Sequence, residues 1–157
     1  MTHEISSQIA KKTEREVIDT GGIGGTLAGN ALSLAAMRAT LTEVLTEENF
    51  QSMIALGHRW CDGVEAAIND FSLPWHVNRL GARGEYLFQS HAARTGGEAS
   101  RAGDFELEQY IHLRLLNDGF LLTPFHNMAL ISPYTTQNDV DAHTAAFRAM
   151  CQELVSS

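Results

Sequence analysis

Four of the five residues from Gly21 to Gly25 are glycine, inside the stretch Asp19-Thr-Gly-Gly-Ile-Gly-Gly-Thr26. Such a run admits positive φ angles and lets the backbone approach another group closely. It divides the chain. Residues 1–28 read as an N-terminal arm ending in a glycine-rich loop, with Ile5, Ile9, Val17 and Ile18 scattered among charges as in a short helix leading into extended chain. Residues 29–157 read as one small α+β domain.

Beyond the loop, Leu32, Leu34, Met37, Leu41, Val44 and several alanines predict a well-buried helix over about 29–44. A second helix is expected to start at Thr46, with Glu47 and Glu48 complementing its dipole, and to end near Phe71 ahead of Pro74. Two short strands, Trp75 to Leu80 and Glu85 to Ser90, flank the turn Gly81-Ala-Arg-Gly84 and read as a hairpin. The small, polar stretch His91 to Gly103 is expected to be a mobile loop. A helix over Asp104 to Asn117, strands at Phe120–Leu122 and Met128–Ser132, and a last helix capped near Thr136 and running to about Leu154 complete the pattern. Sequential strands with tight connections favour an antiparallel or mixed sheet of three to four strands covered by helices.

Composition narrows the function. A 157-residue chain buries about 70% of its unfolded surface and so sustains its own core. A formal charge of −8 with no basic stripe argues against nucleic acid as a partner. No apolar run is long enough to span a bilayer, and the start Met-Thr-His-Glu-Ile-Ser lacks the charged and apolar regions of a secretion signal, so the expected location is the cytoplasm. Cys61 and Cys151 lack metal or redox spacing and read as reduced packing residues. The seven histidines show no HxxxH or HExxH spacing, so no metal site is expected.

One constellation carries chemistry. Gly21 to Thr26, followed by Leu-Ala-Gly-Asn30 and a helix, combines backbone N–H groups, a threonine hydroxyl and a nearby helix N-terminus, which together make a phosphate cradle. No GK[ST] follows and no GxGxxG frame precedes it, so it is neither a Walker A loop nor a dinucleotide fingerprint. Glycine content alone equally allows a flexible linker.

The stretch Gly-Gly-Thr-Leu-Ala-Gly-Asn-Ala-Leu-Ser-Leu-Ala-Ala-Met-Arg-Ala-Thr-Leu resembles a segment of class III aminotransferases that usually reads G-T-x-x-G-N-P-L-A-x-A-A. The resemblance continues through Gly81-Ala-Arg-Gly84, Leu-Leu-Asn-Asp-Gly-Phe-Leu-Leu-Thr-Pro and Ile131-Ser-Pro-Tyr-Thr-Thr-Gln-Asn-Asp-Val-Asp, and it covers about Asp19 to Val155. It implies the small C-terminal domain of a fold-type I enzyme of the glutamate-1-semialdehyde aminomutase-like group. The cofactor implied is pyridoxal 5'-phosphate, the parent moving an amino group through aldimine and ketimine intermediates. Gly25 and Thr26 match the loop that reaches the cofactor phosphate held by a neighbouring subunit. The Schiff-base lysine, the aspartate on the pyridine nitrogen and the stacking aromatic belong to the large domain upstream, so this chain is expected to carry no catalytic residue and to bind the cofactor weakly or not at all by itself. Lys11 and Lys12, the only lysines, read as solvated charges. Two departures stand out: Ala31 replaces the family's usual proline, and His126 lies where aminomutases carry a glutamate. They favour an aminotransferase relative over a true aminomutase, and His126 either lines the substrate side or is an exposed loop histidine.

The implied partners are the large cofactor-binding domain or a neighbouring subunit, with homo-oligomerisation driven by uncovered apolar surface. A free-standing interaction or regulatory module derived from the same domain is the other reading. An unrelated anion-binding enzyme centred on Thr26 lacks a general base at a recognisable spacing.

Overall fold

The computed structural model describes residues 3–4, 7–8, 29–123 and 126–156. The chain forms two compact units, Met1–Thr40 and Leu41–Ser157.

In the first unit, helix α1 spans Ala31–Ala39. Asn30 caps it, its side chain accepting from Ser33 N–H at 3.0 Å and donating to Ser33 Oγ at 2.9 Å. The apolar residues of α1 are exposed, Leu32 by 80%, so the buried helix expected here is not found. Its alanine-rich pattern records a face that suits close packing. The helix also changes pitch sooner than expected, into a π-helical turn over Thr40–Val44. Thr40 Oγ1 bonds back to the Ala36 carbonyl at 2.9 Å, the kind of side-chain competition that bends a helix.

The second unit is built on helix α2, Glu47–Asp70, capped by Thr46 as its sequence predicts. Met53, Gly57, Trp60, Cys61, Val64, Ala67 and Ile68 recur at three- and four-residue intervals and form its buried face. The C-terminus closes in a Schellman motif: Ser72 N–H reaches Asn69 O at 3.0 Å and Leu73 N–H reaches Ile68 O at 2.9 Å. Ser72 holds the left-handed conformation there at φ 52°, a position that glycine occupies without penalty. Ser72→Gly is therefore expected to raise stability by about 1 kcal/mol, read as a higher urea midpoint at unchanged m-value.

Strands β1 (His76–Leu80) and β2 (Arg83–Leu87) form an antiparallel hairpin about Gly81 and Ala82, with Gly81 at φ 56°. The turn is shorter than the sequence suggests, because Arg83 and Gly84 join the ladder. Gly84 serves packing: a Cβ on it would lie 2.5 Å from Cys61 Sγ and 2.7 Å from the Trp60 ring. Gly63 plays the same part where α2 meets Thr144.

The expected mobile loop contains a short helix, α3 (Gly96–Arg101). Thr95 Oγ1 accepts from Glu98 N–H at 3.2 Å while the Glu98 carboxylate accepts from the N–H of Arg94, one residue before the cap, a variant of the T-x-x-E capping box. Helix α4 (Phe105–Asn117) starts at the Asp104 cap and ends in a second Schellman closure through Gly119 and Phe120. Strand β3 (Met128–Leu130) pairs antiparallel with β2, giving the order β1-β2-β3. The strand expected at Phe120–Leu122 is absent, because Phe120 N–H is taken by Leu115 O at 2.9 Å and its ring stands edge-on to His143 at 5.4 Å. Helix α5 (Gln137–Ser156) opens with Thr136 and Asp139 bonding each other's N–H groups.

Helix α2 lies on β1, β2 and α5, and α4 packs against α5. At the centre Trp75 and Tyr86 stack at 5.7 Å, Phe147 closes on Tyr86 at 5.1 Å, and Trp60 and His143 continue the aromatic layer. Cys61 and Cys151 are free thiols inside this core, and burial pushes Cys151 up to about 12. Among the described residues no helix is long and apolar enough to cross a membrane.

Candidate functional site

Gly25 and Thr26, the residues assigned to phosphate contact, lie outside the described residues, as do Lys11 and Lys12. What the structure places is the open face of the sheet. Directly opposed residues of antiparallel strands share a face, so Val77, Arg79, Gly84, Tyr86 and Ala129 look toward α2. Asn78, Leu80, Arg83, Glu85 and Leu130 then share the opposite face, where Leu80 is 75% and Leu130 64% exposed. An antiparallel sheet commonly keeps one face for the core and leaves the other open.

A cleft of about 700 Å³ runs over this open face, lined by Asn78, Arg83, Glu85, Arg94, Glu108 and His126 among others. The hairpin register delivers Glu85 to it, the segment leading into α3 delivers Arg94, the first turn of α4 delivers Glu108, and His126, whose N–H donates to Thr123 O at 3.2 Å, completes it. Glu85 is the hub. Its carboxylate accepts from Arg83 at 3.1 Å, and His126 Nδ1 lies 3.5 Å from its other oxygen. The Glu108 carboxyl is held above the usual glutamate range, first by burial and then by Asp104, with His126 acting in the opposite direction. His126 thus faces this cleft with its side chain half exposed. Sequence reading marked it, but missed Glu85 and Glu108, which only the strand register and the placement of the first turn of α4 bring beside it.

No group of three His, Cys, Asp or Glu side chains among the described residues is disposed to hold a metal. An aldehyde cofactor held covalently needs a lysine amine. The described residues contain none, so by themselves they do not fit the carbonyl end of pyridoxal phosphate.

No protein-family model matches the chain. Among curated proteins it is similar to glutamate-1-semialdehyde 2,1-aminomutase 2 of Halalkalibacterium halodurans, 30% identical over 131 residues that make up 80% of this chain and 30% of that protein. Among solved structures it resembles a lysine-to-alanine variant of a glutamate-1-semialdehyde aminomutase from Pseudomonas aeruginosa PAO1 in complex with PMP. That match has a TM-score of 0.77 and 52% identity, and covers 88% of this chain and 30% of the other. A β-phenylalanine aminotransferase from Variovorax paradoxus shares the fold at 22% identity and TM-score 0.70, over 84% of this chain and 30% of its own.

The fold is thus the small α+β domain found in fold-type I transferases. Over most of its length the chain is homologous to part of the class III pyridoxal phosphate-dependent aminotransferases, proteins named glutamate-1-semialdehyde 2,1-aminomutase among them. It spans about 30% of the length of the relatives it matches.

Proposed function

We propose that this chain is the C-terminal segment of a pyridoxal phosphate-dependent aminotransferase or aminomutase, inactive alone, which completes an active site when it meets a large cofactor-binding domain. The observation that carries the reading is the conjunction of this homology with lysine content. The resemblance implies a Schiff-base lysine upstream of this segment in an enzyme about three times as long, whereas residues 13–157 here contain no lysine at all. When bound, the cofactor would supply the electron sink for amino-group transfer. This chain's part would be positional. Residues 1–28 would act as arm and phosphate loop, with Gly25 N–H and the Thr26 hydroxyl donating to the phosphate held by a neighbouring subunit. Residues 29–157 would close the substrate side, Glu85, Glu108 and His126 setting its polarity. The exposed apolar residues of α1 and the open sheet face support a large-domain or subunit partner, hence an oligomer, and the cytoplasm is the proposed location.

The test is a pyridoxal phosphate titration of the purified chain, followed by borohydride reduction and peptide mapping. The expected result is no pyridoxyl-lysine and at most weak, phosphate-type binding that Thr26→Ala abolishes. A stoichiometric adduct at Lys11 or Lys12 with transaminase turnover would overturn the proposal. The self-contained core of Leu41–Ser157 favours one second reading, a free-standing non-catalytic module. Failure of a co-expressed large domain to bind the chain or gain activity from it would decide for that module.

A further inference from the structure

At the β3 rim a pocket of about 670 Å³ opens between residues 119–123, β3 with Ile131, and the first turns of α5. It shares no lining residue with the cleft over the open sheet face. Trp60 of α2 and His143 of α5 lie at its base, 2% and 3% exposed. Among the described residues the Trp60 indole N–H and both His143 ring nitrogens have no hydrogen-bond partner. They do not bond each other either, although the ring centroids are 5.4 Å apart. Polar groups buried in this way are costly, and three of them side by side call for an explanation. The ring that stands against His143 is Phe120, edge-on at 5.4 Å. Phe120 comes from irregular backbone after Gly119, is itself a wall of the pocket, and is only half-buried.

The three nitrogens specify what would pair with them. An indole N–H only donates, while a neutral imidazole offers one donor and one acceptor. Burial keeps the His143 ring neutral, its pKa lowered to about 4. No lysine or arginine lines the pocket, and the carboxylate on its wall, Asp139, is already engaged by Thr136, so neither an anion nor a cation is favoured. A hydroxyl is the smallest neutral group that accepts from an N–H and donates to a ring nitrogen at once. Joined to an aromatic ring it makes a phenol, which has the shape of the Phe120 ring plus the one group that satisfies the nitrogens. We propose that the pocket binds a small neutral phenol, whose ring takes the place of the Phe120 ring against His143 while its hydroxyl bonds Trp60 Nε1–H and the unprotonated nitrogen of His143. The pocket volume leaves room for the displaced Phe120 ring. Hydrogen bonds made only in this arrangement supply the difference in free energy that moves that ring. The site uses no residue given an individual part in the function proposed above and needs no cofactor, so it stands or falls separately.

The experiment titrates the full chain with phenol and, as control, fluorobenzene, which is nearly the same size and cannot donate a hydrogen bond. The readout is the indole N–H magnetic resonance signal of Trp60, with that of Trp75, which does not line the pocket, as internal reference. Phenol is expected to move the Trp60 signal saturably, and fluorobenzene to bind about tenfold more weakly or worse, the difference that one buried hydrogen bond makes. Phe120→Ala, at a half-buried position, is expected to bind phenol several-fold more tightly, because no ring has to leave. His143→Leu is expected to erase the preference for phenol over fluorobenzene. Far-UV circular dichroism checks that each variant is folded, and the wild-type comparison of the two ligands carries the test if a variant is not. The proposal is overturned if fluorobenzene binds as tightly as phenol, if the Trp60 signal moves only linearly with phenol or in step with that of Trp75, if folded Phe120→Ala binds phenol no better than wild type, or if folded His143→Leu keeps the preference.

Discussion

Replacing Phe147 by alanine is expected to remove about 3–5 kcal/mol from the stability of the Leu41–Ser157 unit, the range for deleting a buried aromatic ring. Phe147 is 0% exposed and sits where α5 meets the sheet, 5.1 Å from Tyr86, 6.1 Å from His143 and 6.4 Å from Trp75 between ring centroids. Its neighbours come from β2, from its own helix and from the residue just before β1, so none can collapse into the void without breaking contacts elsewhere. Small domains have about 5–15 kcal/mol in total, so the variant would lie near the edge of folding. Urea denaturation followed by tryptophan fluorescence measures the effect, because Trp60 and Trp75 report on this layer. A loss below about 1 kcal/mol would mean that the aromatic layer is loosely packed and is not what holds α5 to the sheet.

The second large effect is one of acidity. His143 is 3% exposed, both ring nitrogens lack hydrogen-bond partners, and burial lowers its pKa to about 4. In the unfolded chain a histidine titrates near ~6.5. Between those values the unfolded state takes up a proton that the folded state refuses, so stability is complete above ~6.5 and falls as the pH drops toward about 4. The full loss is on the order of 3 kcal/mol. His143→Leu should flatten the profile across that window. Urea midpoints at several pH values for both proteins decide it, and parallel declines would show that the acid sensitivity arises from other groups. Asp139, Asp141 and Glu153 are held below the ordinary carboxylate range by Thr136, Arg59 and Arg114 respectively, so their contribution is lost at lower pH than that of His143.

Where local chemistry decided structure, the sequence was readable. Thr46, Asp104 and Thr136 are caps because their short oxygens satisfy the first N–H groups of a helix, and Pro74 marks the end of α2. The misreadings share a different cause. Gly96-Gly97 suggested a loop, and the capping pair Thr95 and Glu98 outweighed them. Gly84 was read as turn chemistry, yet it is a packing residue whose reason lies on α2, more than twenty positions away. The apolar pattern of α1 records a face that wants cover, and no pattern says whether the cover comes from the same chain. The cleft was the least legible part, since Glu85, Glu108 and His126 meet only once the register of β2 and the turn after α4 are fixed. Gly25 and Thr26 became candidates for a specific ligand through family resemblance alone.

The brevity of β3 bears on how this chain behaves when crowded. A sheet can recruit strands from other molecules only through backbone groups at its rim, and β3 offers three residues there. Ala129 lies opposite Gly84 in a hydrogen-bonded pair, as the flanking bonds Tyr86 N–H to Asn127 O and Ile131 N–H to Ala82 O require, so its groups point inward. Only Met128 and Leu130 point outward, and the Met128 carbonyl already accepts from Thr123 at 3.4 Å. Fibre-like stacking through this rim therefore has almost nothing to grip, which leaves β1, at the opposite rim, as the longer of the two edges.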